Sequence, residues 1–174
     1  MAVGVKGKDR VVASAAIHPH HLEVLRTYCW GVDVEVVMAP VEDGRTVWPT
    51  GVDASACLVP SPNFYGLIED LAAARAACDG LLLVSADPVA CALMRSPGSY
   101  GADVVVGEGQ SLGVAQGFGG PYVGLFATRK DLVRNIPGRI VGKTTEAHGD
   151  REGYVMTLRT REQDIRREKA TSNI

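Results

Sequence analysis

Short apolar runs alternate with stretches of helical periodicity, and this alternation limits the possible folds more than any other feature of the sequence. The runs are Arg10–Ile17, Val32–Ala39, Ala54–Val59, Gly80–Ser85 and Ala102–Gly107. Four of them are nearly continuously apolar, as strands buried on both faces of a parallel sheet are. Val32–Ala39 is interrupted by Asp33 and Glu35 and is expected nearer a sheet edge. Between the runs, His18–Trp30 puts Leu22, Leu25 and Cys29 on one face, with Pro19 at a first helical position. Leu67–Asp79 aligns Leu67, Leu71, Ala74 and Cys78, and Gly80 follows as a stop. Pro88–Arg95 reads as a short third helix. Repeated strand–helix–strand units predict an α/β fold, a doubly wound, mostly parallel sheet with flanking helices. The length of 174 residues fits one domain, expected to cover residues 1–174.

Beyond residue 107 the pattern changes. Seven glycines fall within Gly107–Gly124, which implies unusual backbone angles or close approach of another backbone or a ligand. Tyr122–Thr128 then reads as a strand, expected antiparallel at a sheet edge, and Lys130–Ile136 as a short helix. Residues 137–153, with glycines at 138, 142, 149 and 153, read as a loop-rich segment before a strand at Gly153–Leu158. Thr160 and Gln163 have the spacing of a capping box, which predicts a last helix toward Ala170. No stop signal for that helix precedes Ile174, so the chain is expected to be part of a longer protein.

Composition narrows the classes of function. Net charge is −2 with both signs mixed along the chain, which gives no electrostatic case for nucleic acid or an anionic membrane. The most basic window, Arg159–Lys169, is interleaved with Glu162, Asp164 and Glu168 and reads as a solvated helix face. Cys29, Cys57, Cys78 and Cys91 sit among apolar neighbours without a CxxC spacing, and read as core residues in a reducing compartment. No apolar run approaches the roughly 20 residues of a membrane span, and a cytoplasmic protein is expected.

Two near-matches to nucleotide motifs fail on physical grounds. Gly107-Glu108-Gly109 has Leu112 where a dinucleotide fingerprint needs its third glycine. Gly142-Lys143-Thr144 ends like a phosphate loop, but Pro137 stands in place of the first glycine and donates no N–H. His18, His20 and His21 cluster at a helix start, yet adjacent helical positions diverge too far to share one ion, so no metal site is expected. Three other segments converge: Ser61–Gly66, Ser85–Pro88, and Tyr100–Gly107 running into the glycine loop. Each follows the carboxyl end of a predicted parallel strand, where open α/β sheets bind ligands. Asp87 suits an Asp-Pro turn and helix entry. Glu108 is a possible general acid or base, or a carboxylate that bonds its own loop. Ser111 has no base near it in sequence.

The strings SPNFYG, SADP, SYGADVVVGEGQSLG, FGGPYVGLFATRKDLVRNIPGRIVG and LRTREQDIRREKATSNI are long and specific. They resemble the subunit 1 family of decarboxylating glycine dehydrogenases, the P-proteins of the glycine cleavage system, from about Arg10 to Ile174. The resemblance implies the large-domain core of the aspartate-aminotransferase-like fold of pyridoxal-phosphate enzymes. It also implies a subunit that binds no cofactor, with pyridoxal phosphate on subunit 2. The activity implied is decarboxylation of glycine, with transfer of the aminomethyl group to the lipoyl H-protein as partner. In catalytic relatives a lysine forms the Schiff base with the cofactor, eleven residues before the proline of a glycine-rich loop. Counting back from Pro121 reaches Gln110, whose amide cannot form an imine. Asp87 matches the aspartate that relatives set against the cofactor's ring nitrogen, and is a weak cofactor-binding candidate. Gly119, Gly120, Pro121 and Tyr122 are expected to face the partner subunit. Two alternatives remain: a purely structural or regulatory domain, or an independent enzyme using Lys143 or Lys169. The resemblance further implies that an N-terminal section and a C-terminal small domain lie outside this chain.

Overall fold

The computed structural model describes residues 1–158 and 162–170. The chain divides into two compact units, Ala2–Thr128 and a second that begins at Arg129, where length alone suggests one domain. In chain order the first unit contains α1 (Ala2–Lys6), β1 (Arg10–Ser14), α2 (Pro19–Trp30), β2 (Glu35–Ala39), β3 (Val41–Glu42), β4 (Arg45–Thr46) and β5 (Ala56–Ser61). There follow α3 (Leu71–Ala77), β6 (Leu81–Ala86), α4 (Pro88–Cys91), the 3-10 turn Pro97–Tyr100, β7 (Val104–Glu108), the 3-10 turn Gln110–Leu112 and β8 (Gly124–Thr128). Among the described residues, six strands form one sheet in the order β2-β1-β5-β6-β7-β8. All neighbours are parallel except β7 and β8, which are antiparallel. The mixed α/β architecture, the edge position of the second run and the antiparallel edge strand after the glycine loop match the expectations. Strands β3 and β4 form a small hairpin that sequence periodicity does not reveal.

The core sits on the middle strands. Val12, Val59, Leu82 and Val84 are fully buried and pack with Leu71 and Ala74 of α3. The expected face of α3 is therefore the buried one. The helix is shorter than its apolar pattern, because the Asp70 carboxylate accepts the Ala73 N–H at 2.9 Å and fixes the start. Helix α2 starts at Pro19 behind His18, whose Nδ1 accepts the His20 N–H at 3.2 Å. Of its expected face, Cys29 is buried, and Leu22 and Leu25 are half-buried. Helix α4 ends at Cys91 rather than Arg95, leaving Leu93 in solvent. All four cysteines are free thiols. Cys29, Cys57 and Cys78 are buried, and the hydrogen bond that the Cys57 thiol donates to Cys78, together with burial, pushes the Cys57 thiol up. A buried arginine–aspartate pair joins α3 to the sheet. Arg75 Nη1 lies 2.8 Å from Asp103 Oδ2, which also accepts the Leu82 N–H at 2.7 Å.

The second unit contains the 3-10 turn Lys130–Leu132, β9 (Ile140–Thr145), β10 (Glu152–Thr157) and the short helix α5 (Gln163–Arg166). Strands β9 and β10 form an antiparallel hairpin, with Lys143 Nζ 2.6 Å from Glu152 Oε1. This corrects two expectations. Residues 137–153 are not all loop, and the helix expected at Lys130–Ile136 is a single 3-10 turn. The predicted cap at Thr160 lies outside the described residues, and Glu162 occupies the N-cap position of α5.

Candidate functional site

Parallel strands end on a common edge, and here the carboxyl ends of β1, β5, β6 and β7 open on one cleft of about 510 Å³. Ile17 and His21 come from beyond β1, and Leu58 and Pro62 from β5 and its end. Ser85, Ala86 and Asp87 follow from β6, and Val106, Gly107 and Glu108 from β7. The three segments singled out in the sequence thus meet, through Pro62, Asp87 and Glu108. Tyr100 does not line this cleft; it lines a second cavity beside it.

The floor of the cleft depends on one glycine. A Cβ on Gly107 would stand 2.4 Å from the Ala86 carbonyl oxygen, so only a residue without a side chain lets β7 approach β6 there. Beyond it, the glycine loop is closed at a neck. The Gly109 N–H donates to the Val123 carbonyl at 2.8 Å. Glu108 Oε1 accepts from the Gln110 N–H at 3.0 Å and from the Val123 N–H at 2.9 Å. Glu108 therefore bonds its own loop. The Gln110 side-chain amide donates to the Val114 carbonyl. From there to Tyr122 the loop stands in solvent: Gly113 and Gly119 have φ of +131° and +122°, and Phe118 has φ +55° with a fully exposed ring. Gly119, Gly120, Pro121 and Tyr122 are all exposed. Ser111 is exposed within the 3-10 turn.

The remaining polar groups at the rim are fixed by the backbone. Asp87 accepts the Ala90 N–H at 2.8 Å and so closes the N-terminus of α4. The His18 ring lies 5.0 Å from His20, 5.1 Å from His21 and 5.2 Å, edge-on, from Phe64. Burial, then the neighbouring His18 and His20, hold His21 below the usual histidine value. Among the described residues no three ligating side chains are placed to hold a metal ion.

A buried polar network escapes sequence reasoning. Glu69 accepts the Thr46 N–H at 3.0 Å, the Thr46 hydroxyl at 2.9 Å and the Asn63 amide at 2.7 Å. The Thr46 hydroxyl meets the Ser14 hydroxyl at 2.6 Å. Asn63 Oδ1 in turn accepts the Tyr65 and Leu67 N–H groups, which fixes the turn after β5. The only local signal is the acidic pair Glu69-Asp70 before an apolar helix; Asn63 is six residues away, but Thr46 lies 23 residues away along the chain.

Pyridoxal phosphate does not fit this cleft as a covalently held group. No lysine is among its lining residues, and the Gln110 amide is both chemically unable to form an imine and committed to Val114. Lys143 is paired with Glu152 in the hairpin of the other unit, and the Lys169 side chain lies outside the described residues.

The family model for the glycine cleavage system P-protein matches residues 1–174. The chain is 52% identical to a probable glycine dehydrogenase (decarboxylating) subunit 1 of Thermomicrobium roseum, covering 97% of this chain and 40% of that protein. It is 50% identical to the protein of the same name from Chlorobium phaeobacteroides, covering 100% of this chain and 41% of that one. Among solved structures, it superimposes with a TM-score of 0.89 and 42% identity on an inhibitor-bound glycine decarboxylase (P-protein) of the glycine cleavage system. That match covers 99% of this chain and 40% of the other. The chain thus spans about 40% of the length of the relatives it matches. On this match over its whole length, the chain belongs to the glycine cleavage system P-protein family.

Proposed function

We propose that the polypeptide containing this chain acts as subunit 1 of a two-subunit glycine dehydrogenase. In this reading it carries no cofactor itself and pairs with a subunit 2 that holds pyridoxal phosphate. Together they decarboxylate glycine and pass the aminomethyl group to a lipoyl H-protein, in the cytoplasm. The observation that carries the reading is the family match joined to Gln110: the chain keeps the frame of the family but has an amide where an imine-forming lysine would stand. The cleft then serves as a scaffold, and the loop around Gly119, Gly120, Pro121 and Tyr122 faces the partner. Exposed apolar side chains at Phe118 and Tyr122 support that orientation.

The test is reconstitution. Purified subunits are assayed for glycine decarboxylation separately and together. Activity is expected only from the pair, and full activity from subunit 2 alone would refute the proposal. Tyr122→Ala in the full-length subunit separates a contribution to the site from scaffolding. Loss of turnover in an intact complex favours the former, and loss of assembly alone favours the latter.

A further inference from the structure

Two thiols meet in the core, and the function proposed above makes no use of them. Cys57 lies on β5 and Cys78 directly follows α3, and both belong to the cluster that includes Leu71, Ala74 and Leu82. Cys29 and Cys91 lie outside it. Leu82 stands opposite Cys57 in the parallel register of β5 and β6. Cys78 Sγ lies 3.5 Å from the carbonyl oxygen of Leu81, the residue before Leu82, so its sulfur rests against the strand that neighbours Cys57. The Cys57 thiol bridges the remaining gap by donating a hydrogen bond to Cys78.

The pair is asymmetric. The hydrogen bond from Cys57 first, then the Arg75 guanidinium and a backbone bond at Gly80, favour the Cys78 thiolate and hold that group below the usual thiol value against the effect of burial. Cys57, as the donor, is held protonated. Cys78 is therefore the nucleophile of the two. It is 4% exposed, but it is not deep: it ends a helix of seven residues, and Asp79 beside it stands in solvent. Arg75 pins this end, donating from Nη2 to the carbonyls of Cys78 and Gly80. Helix ends open at a far lower free energy than the core, so release of one terminal turn admits a molecule little larger than water.

We propose that Cys57 and Cys78 form a reversible dithiol–disulfide couple whose oxidant is a small hydroperoxide. The Cys78 sulfur attacks the peroxide, the O–O bond breaks, and the leaving oxygen takes the thiol proton and departs as water or an alcohol. Cys78 is left as the sulfenic acid. The Cys57 sulfur then attacks the Cys78 sulfur, the S–O bond breaks, and a water leaves with the Cys57 proton. The two thiols lose two electrons and the peroxide gains two. The bridge ties the end of α3 to the middle of the sheet and closes a loop of roughly 20 residues, which stabilises the folded chain. None of this depends on the proposed role in glycine decarboxylation. The test treats the purified full-length polypeptide with hydrogen peroxide under native conditions at neutral pH. Digestion with trypsin and a protease that cleaves before Asp70, Asp79 and Asp87 leaves Cys57, Cys78 and Cys91 on separate peptides for mass spectrometry. A Cys57–Cys78 peptide, reversed by dithiothreitol, is expected to exceed any linkage through Cys29 or Cys91 by about tenfold or more. The oxidised protein is expected to unfold at a higher urea concentration than the reduced one. Cys57→Ser is expected to accumulate a sulfenic acid on Cys78 that dimedone traps, and Cys78→Ser to form none on Cys57. Linkage, reversal and urea midpoint are read on the unmutated protein, so they decide the matter even where a serine variant fails to fold. No linkage in the folded protein, linkage only after unfolding, preferred linkage through Cys29 or Cys91, or a lowered urea midpoint on oxidation would each overturn the proposal.

Discussion

Gly107 is where a missing side chain has the clearest structural consequence. A methyl group there would have to displace the Ala86 carbonyl, which belongs to the neighbouring strand and cannot rotate aside. Gly107→Ala is expected to lower stability by about 1–3 kcal/mol through overpacking. Gly98→Ala, with nothing within 4 Å of the added carbon, is expected to stay within about 0.5 kcal/mol. Urea unfolding midpoints of the two variants check both. The richness in glycine is visible in the sequence; which glycine bears the close approach is not. Gly80 makes the same point. It reads as a helix stop, but its missing Cβ instead admits the Ala54 and Ser55 carbonyl oxygens, each 2.4 Å from where that carbon would be. His21 gives a pH prediction. Its value in the folded chain is lowered, by burial first. Above about pH 6.5 both folded and unfolded forms are neutral and the group contributes no pH dependence. As pH falls through about 6.5, the unfolded chain takes up a proton that folded His21 resists, so stability falls until the folded value is passed. His21→Gln is expected to flatten that limb, seen as a smaller drop in urea midpoint between about pH 7.5 and 5.5.

Elements are legible where their pattern reports burial, and illegible where it does not. Four of the five runs of the parallel sheet are recognisable because their apolar character is nearly continuous, and Val32–Ala39, at the edge and only partly buried, is read despite its interruption by Asp33 and Glu35. Of the hairpin β9–β10, the second strand is read at Gly153–Leu158, but β9 is missed because it is largely exposed, and a polar, glycine-bearing strand such as Ile140–Thr145 has the composition of a loop. Helix α3 is recognised by its face, but its start is set by the side chain of Asp70, which periodicity does not register. Its docking is also hidden. The pairing of Arg75 with Asp103 spans 28 positions and depends on the sheet having already formed. Asp103→Ala would leave the Leu82 N–H without its acceptor and the Arg75 guanidinium without its carboxylate, bonded only to backbone carbonyls such as that of Gly80. The expected loss is about 3 kcal/mol, toward the low end for a broken buried pair, since the Arg75 side chain stays 30% exposed. Replacing both residues together, Arg75→Met with Asp103→Leu, is expected to cost less than the sum of the two single changes. A double-mutant cycle in urea measures this.

At the scale of the whole molecule, the place of the cleft follows from topology. Parallel strands must share a carboxyl edge, so the segments after β5, β6 and β7 were bound to meet. What those segments do there depends on contacts made between distant positions, and Glu108 shows why: at the rim of the cleft its carboxylate accepts the Val123 N–H, fifteen residues on, and so bonds its own loop. Beyond that neck the loop contributes nothing to the core and presents Phe118 in a conformation with φ +55°. A bulky residue in that region, with its ring wholly in water, is a cost the isolated chain gains nothing from. The arrangement makes sense if the ring is covered by another protein, as the partner-facing reading requires. Phe118→Asn separates the two costs, because asparagine tolerates positive φ and removes the ring. Stability of the isolated polypeptide is expected to hold or rise slightly. Affinity for subunit 2, measured by sedimentation or biosensor titration, is expected to fall about tenfold or more, as loss of an aromatic anchor does. Unchanged affinity would place the subunit contact on another face and leave the exposed ring without a role in assembly.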